Sequence, residues 1–306
     1  MPRAPPASAP SGKARPAAAA CEDIPVQRIV TAELDLELGA SIDLIFSLSV
    51  AQQVPVTSEQ LTFTQGDRVY TPTEIVDQSG TRLHRLLGEA GPLQVRYDAI
   101  IDGHTGTAHT SDLEAITYLR PSRYCQSDEV FTQARRQFQG MSGAELLTAV
   151  TRFAEQSITY TPGLSLGTDS AVTTLMTGQG VCRDYAHVVI ALLRAMDVPA
   201  RYAACYAPGL EPMDFHAVAE AYLDGAWYVI DATRLADRRS LVRIGTGRDA
   251  ADCAFLSFHG GHVALERMRV DAWVMPDAEG HERGTADEAL VAASEPDDFT
   301  ALVQLA

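Results

Sequence analysis

From Ile29 to Leu38 apolar and polar residues alternate, with Leu34, Leu36 and Leu38 on one side, the period-two mark of a half-buried strand. Similar stretches at 42–50, 60–64, 69–76, 82–87 and 93–101 are separated by Gly, Asp and Pro turns, and Gln78-Ser79-Gly80-Thr81 has the composition of a hairpin tip. Residues 24–125 therefore predict a β-sandwich-like domain of roughly 100 residues. Beyond it the hydrophobic period lengthens. Leu146, Leu147, Val150, Phe153 and Ala154 mark one face of a helix over 143–158, followed by a short strand and turn over 158–163. Thr168-Asp169-Ser170 caps a short helix over 171–176. Ala186, Val189, Ile190, Leu193 and Met196 define a further helix, which begins near Cys182 and is stopped by Asp197-Val198-Pro199.

Two strands follow, 216–223 and 226–231, joined by Asp224-Gly225. That dipeptide suits a two-residue type I′ hairpin, because both central positions need a positive φ. Leu223 then pairs with Ala226, which sets Asp231 opposite Val218 and His216 opposite Thr233. His216 and Asp231 become diagonal neighbours on one sheet face, with Cα atoms roughly 7–8 Å apart. A turn one residue longer or shorter would put them on opposite faces.

The Gly178-Gln179-Gly180-Val181 turn delivers Cys182 to the first turn of its helix. Free N–H groups and the positive end of the helix dipole favour a thiolate there, and the same N–H groups suit an oxyanion. With His216 as base and Asp231 as its orienter, the chain holds the three groups that cysteine acyl transfer requires. Gln179 is a candidate oxyanion donor by proximity and polarity. Cys21, Cys125, Cys205 and Cys253 read as small buried hydrophobes.

The remaining sequence narrows the setting. The chain has 306 residues with 24 Lys and Arg against 40 Asp and Glu, a formal charge of −16, which argues against nucleic-acid binding by phosphate neutralisation. Five cysteines without a C-x-x-C pair fit a reducing cytoplasm. Residues 1–23 read as a disordered Pro/Ala-rich tail without the apolar segment of a signal peptide, and 276–306 as an acidic, largely disordered tail with one short helix near 286–293. No apolar run approaches the ~18 residues of a membrane span. His104 and His109 beside Asp102 and Asp112 read as a polar loop, and Cys253, His259 and His262 lack a fourth ligand, so no metal is expected. Gly245 and Gly247 do not complete a dinucleotide fingerprint, and no cofactor is expected.

The runs Gly180-Val181-Cys182-Arg183-Asp184-Tyr185-Ala186 and Leu192 to Tyr202 resemble the nucleophile block of bacterial transglutaminase-like proteins. The segments 216–223 and 227–233 resemble the family's His and Asp blocks, and Tyr118 to Cys125 its junction after a β-rich N-terminal region. The likeness spans roughly residues 24–270. It implies an α+β chain in which the β-sandwich-like domain precedes a papain-like core at 126–275, with Cys182 as nucleophile, His216 as general base and acid, and Asp231 as orienter. Two departures stand out. Val218 replaces a Trp carried by many members, which implies a different substrate-channel wall. No Trp precedes Cys182, whereas calcium-dependent animal transglutaminases use one for the oxyanion. The reading is an amide hydrolase, peptidase or deamidase, working through a Cys182 thioester on a peptide or protein substrate. Protein-glutamine amine transfer to an amine acceptor, and a non-catalytic binding or assembly module, stand as alternatives.

Overall fold

Residues 27–103, 110–275 and 302–305 are described by the computed structural model. Strands β1 (Gln27–Leu38), β2 (Ile42–Phe46), β3 (Val56–Gln65), β4 (Arg68–Tyr70), β5 (Thr73–Val76), β6 (Arg82–Gly88) and β7 (Gly91–Asp102) come first. Helices α1 (Asp112–Thr117), α2 (Phe131–Gln137) and α3 (Gly143–Ser157) follow, then β8 (Thr159–Tyr160), α4 (Ala171–Thr177) and β9 (Gln179–Gly180). Helix α5 (Cys182–Ala195) leads into β10 (Ala200–Tyr206), β11 (His216–Leu223), β12 (Ala226–Ile230), β13 (Val242–Gly247), β14 (Leu256–His259) and β15 (Val263–Met275). The alternation read along the N-terminal region is realised closely. The run expected over 69–76 is broken into β4 and β5 at Thr71-Pro72, because proline offers the ladder no donor.

One sheet has the order β15-β1-β7-β3-β4 and a second the order β14-β2-β6-β5. Leu34, Leu36 and Leu38 of β1 meet Leu44 and Phe46 of β2 and Leu93 and Val95 of β7 in one buried cluster. The expected division of the chain needs correction here. Strands β14 and β15 fall within the stretch assigned to the catalytic unit, yet they pair antiparallel with β2 and β1. Alternation reveals which face of a strand is buried but not its partner, so this return to the first sheets leaves no local mark.

A third sheet, β12-β11-β10-β13, carries α5 on one face. Ala217, Ala219 and Ala221 of β11 pack with Val188, Val189, Leu192 and Leu193 of α5. Small strand residues let the helix approach closely, and every residue of α5 from Asp184 to Ala195 is buried. The β-rich part grips this sheet from the side. Tyr206 donates its hydroxyl to the Leu48 carbonyl at 2.8 Å, and the Ala51 N–H donates to the Arg243 carbonyl at 2.9 Å. A Cβ on Gly245 would lie 2.8 Å from Cγ2 of Thr81, so glycine there lets the 78–81 hairpin tip press onto β13.

The tail expectation also changes at its end. Leu305 is buried in an apolar cluster with Val218 and Val229. The helix expected near 286–293 and the N-terminal tail lie outside the described residues, as do His104, His109 and Cys21.

Candidate active site

Cys182 opens α5, and the chain before it is tightly constrained. Gly178 closes α4 at φ 65°, with its N–H on the Thr174 carbonyl at 2.8 Å, the left-handed cap that glycine supplies without strain. Gln179 and Gly180 then pair in parallel with Thr159 and Tyr160. A Cβ on Gly180 would sit 2.6 Å from the Cβ of Asp184, so this position must be bare for the turn to reach the helix. Asp184 is fully buried; its Oδ2 accepts from the Val181 N–H at 2.9 Å and from the Ser165 hydroxyl at 2.5 Å. Arg183 ties the same carboxylate to the Leu166 carbonyl. These contacts fix the direction in which Cys182 leaves the turn and keep the thiol partly exposed.

The hairpin supplies the other two groups. Asp224 and Gly225 have φ of 50° and 91°, and the ladder runs from Leu223↔Ala226 to Ala219↔Ile230, the register expected from the turn. At its open end His216 Nε2 meets Asp231 Oδ2 at 2.8 Å, both side chains buried. The second oxygen, Oδ1, accepts from the Thr233 N–H at 2.9 Å and its hydroxyl at 2.6 Å, so the carboxylate cannot turn. Imidazole Nδ1 has no partner at ordinary hydrogen-bonding geometry, although it is buried. The Cys182 thiol is close enough to act on the ring. Burial disfavours the imidazolium, but the charge and hydrogen bond of Asp231, with the nearby Cys182, outweigh it and lift His216 to about 10. Burial likewise opposes the Asp231 carboxylate, and the His216 charge and the Thr233 bonds overcome it, holding Asp231 below its usual range. An acceptor held on one nitrogen and a free nitrogen on the thiol side is the arrangement of an oriented acid and base.

The sequence missed Tyr160. Its ring packs 6.2 Å from that of Tyr185, and its hydroxyl faces the backbone N–H of Cys182, with burial and the nearby Cys182 and Asp214 pushing it up to about 12. In that contact the Tyr160 oxygen accepts from the Cys182 N–H, and its own proton stays on beside the nucleophile. Its one advance signal was its place in the short strand after the 143–158 helix; the parallel pairing with Gly180 is non-local. Gln179, the expected donor, is exposed on β9. Val218 is 1% exposed inside the cluster on the far face of the sheet, so it lines no open channel. The other described cysteines, Cys125, Cys205 and Cys253, are buried thiols whose burial raises their pKa values. Cys253, His259 and His262 do not converge, and no group of metal-binding side chains occurs among the described residues.

A partly exposed thiol at a helix start, a buried His–Asp pair at the end of a hairpin and a sheet packed on that helix define a cysteine enzyme of papain-like architecture. The sequence model of the Transglutaminase-like superfamily matches residues 132–232. A Cytophaga hutchinsonii protein, provisionally designated a cysteine protease, superposes with a TM-score of 0.76 at 31% identity, over 86% of this chain and 95% of that one. The chain therefore belongs to the bacterial transglutaminase-like family, and at that level it is a cysteine-dependent enzyme. An uncharacterised Mycobacterium leprae protein, ML0607, is 26% identical over 148 residues, 44% of this chain. The match covers about half, 52%, of that curated relative's length. The periplasmic domain of TgpA from Pseudomonas aeruginosa aligns at 18% identity with a TM-score of 0.37, over 71% of this chain and 92% of that one. Among the described residues no helix is long and apolar enough to cross a membrane.

Proposed function

We propose that the protein hydrolyses amide bonds of a peptide or protein through a thioester on Cys182. The observation that carries this is the His216 ring, held by Asp231 at Nε2 and left free at Nδ1 on the thiol side. Sulfur attacks the amide carbonyl carbon, and the oxyanion gathers donors from the Cys182 N–H and the Tyr160 hydroxyl, which takes the second donor role over from Gln179. The C–N bond breaks as the imidazolium gives its proton to the leaving amine. Water, deprotonated by His216, then attacks the thioester, releasing an acid and restoring the thiol.

One observation favours amine transfer as the second reading. Asp214, two residues before His216, is an exposed carboxylate that acts electrostatically on Tyr160 and His216, and it suits a cationic acceptor. The free thiols Cys125, Cys182, Cys205 and Cys253 support a reducing, cytoplasmic setting. Mass analysis of peptide and glutamine-amide mixtures, with and without a primary amine, tests both readings. Hydrolysis predicts acid products with wild-type protein and none with Cys182→Ala. Amine-linked products at the expense of acid would replace it with transfer, and no Cys182-dependent product would reject both.

A further inference from the structure

Strand β12 is an edge of the catalytic sheet, and Val229 turns both its backbone polar groups outward there, because it faces Glu220 in the ladder between the bonded pairs. An exposed edge of this kind invites another strand. Both groups are met. Arg238 donates to the Val229 carbonyl at 3.1 Å, and the Val229 N–H donates to the carbonyl of Val303 at 2.7 Å. Residues 302–305 alternate outward and inward: Leu302 and Gln304 are exposed, Val303 is half-buried and Leu305 is 7% exposed. Leu305 sits among Ala203, Cys205, Val218 and Val229, with Val303 beside it. Val218 lies two residues after His216 and Val229 two before Asp231, so the tail packs under the strand ends that hold the pair. One main-chain bond on an edge strand, with alternate side chains in an apolar pocket, is how extended peptides dock on sheets.

We propose that the outer face of this sheet is a docking groove for an apolar-x-apolar strand, that its occupant is the chain's own Val303-Gln304-Leu305, and that the docked tail positions His216 and Asp231. The positioning clause rests on the triad reading; the docking does not. Site-resolved hydrogen exchange on the full chain tests it. In Leu305→Asp the Val229 amide exchanges at least tenfold faster, while Tyr228 and Ile230, whose N–H groups face β11, keep their protection. A peptide of residues 301–306 added in trans restores Val229 protection, and the same peptide carrying Leu305→Asp does not. Turnover falls in Leu305→Asp and recovers with the peptide at unchanged KM.

An unprotected Val229 amide in the wild type overturns the docking. So does faster exchange at Tyr228 and Ile230 as well, unrelieved by peptide, which makes Leu305 ordinary core. Protection that grows with protein concentration assigns the groove to a second copy's tail and overturns the chosen occupant. Unchanged turnover overturns the positioning. Failure of the triad reading is distinguishable, since wild-type turnover is then absent while the exchange result stands.

Discussion

Two buried ion pairs lie four residues apart on β11 and serve different ends. Glu220 accepts from Arg201 Nε at 2.7 Å and from both terminal nitrogens of Arg243 at 2.8 and 2.7 Å, and Arg243 also donates to Thr246 at 2.7 Å. Burial opposes the Glu220 carboxylate, but the two guanidinium groups hold it down at about 2. This cluster ties β10, β11 and β13 together and leaves no polar atom of the glutamate to spare. The His216–Asp231 pair is as deeply buried but keeps one ring nitrogen unbonded. Its cation can shed a proton, whereas arginine cannot. A charge satisfied on every side is structural; a charge with one free, titratable nitrogen beside a thiol has the arrangement that the proposed proton transfer needs.

That contrast is open to test, and the largest effect belongs to the titratable pair. Asp231→Asn should cut turnover roughly 10²–10⁴-fold, a larger effect than the stability lost with the carboxylate of the His216 imidazolium, because the histidine can go neutral and keep a hydrogen-bond partner. Steady-state kinetics beside calorimetry checks this, and equal losses in both would erase the distinction. Glu220→Gln should do the opposite. It leaves Arg243 without a carboxylate in the core, while Arg201 keeps Glu114, at a cost of about 3–5 kcal/mol, read by urea denaturation, with turnover per folded molecule largely kept. Tyr160→Phe should lower kcat by roughly 10²–10³-fold, as loss of one oxyanion donor does, with little change in KM; an unaltered kcat would return the role to the backbone alone.

The smallest effect is in pH. His216 is raised in the folded state to about 10 against an ordinary 6.5, so its stabilisation is complete below about 6.5 and drains away as pH climbs through 10. Imidazole NMR should show His216 titrating near the top of that window, and in Asp231→Asn far lower, since burial then acts against the imidazolium unopposed. A wild-type midpoint near 6.5 would mean that Asp231 does not hold the charge.

Much of this was readable from short-range pattern. The Asp224-Gly225 turn set the register, and the register put His216 and Asp231 on one face; the helix period and its Pro199 stop put Cys182 at a helix start. What escaped depended on distant pairings. Tyr160 reaches Cys182 because β8 lies beside β9, β14 and β15 return to the first two sheets, and Leu305 fills a pocket whose walls come from three strands. Proximity and polarity point to Gln179, and neither says where a turn side chain points.

In the proposed reaction Cys182 is the one thiol of the four described cysteines set for acyl chemistry. An amide-mimicking, thiol-reactive probe followed by peptide mapping tests it directly. Adducts are expected on Cys182 and none on Cys125, Cys205 or Cys253, with loss of labelling in Cys182→Ala and in His216→Ala. Equal labelling of wild-type and Cys182→Ala protein would contradict it.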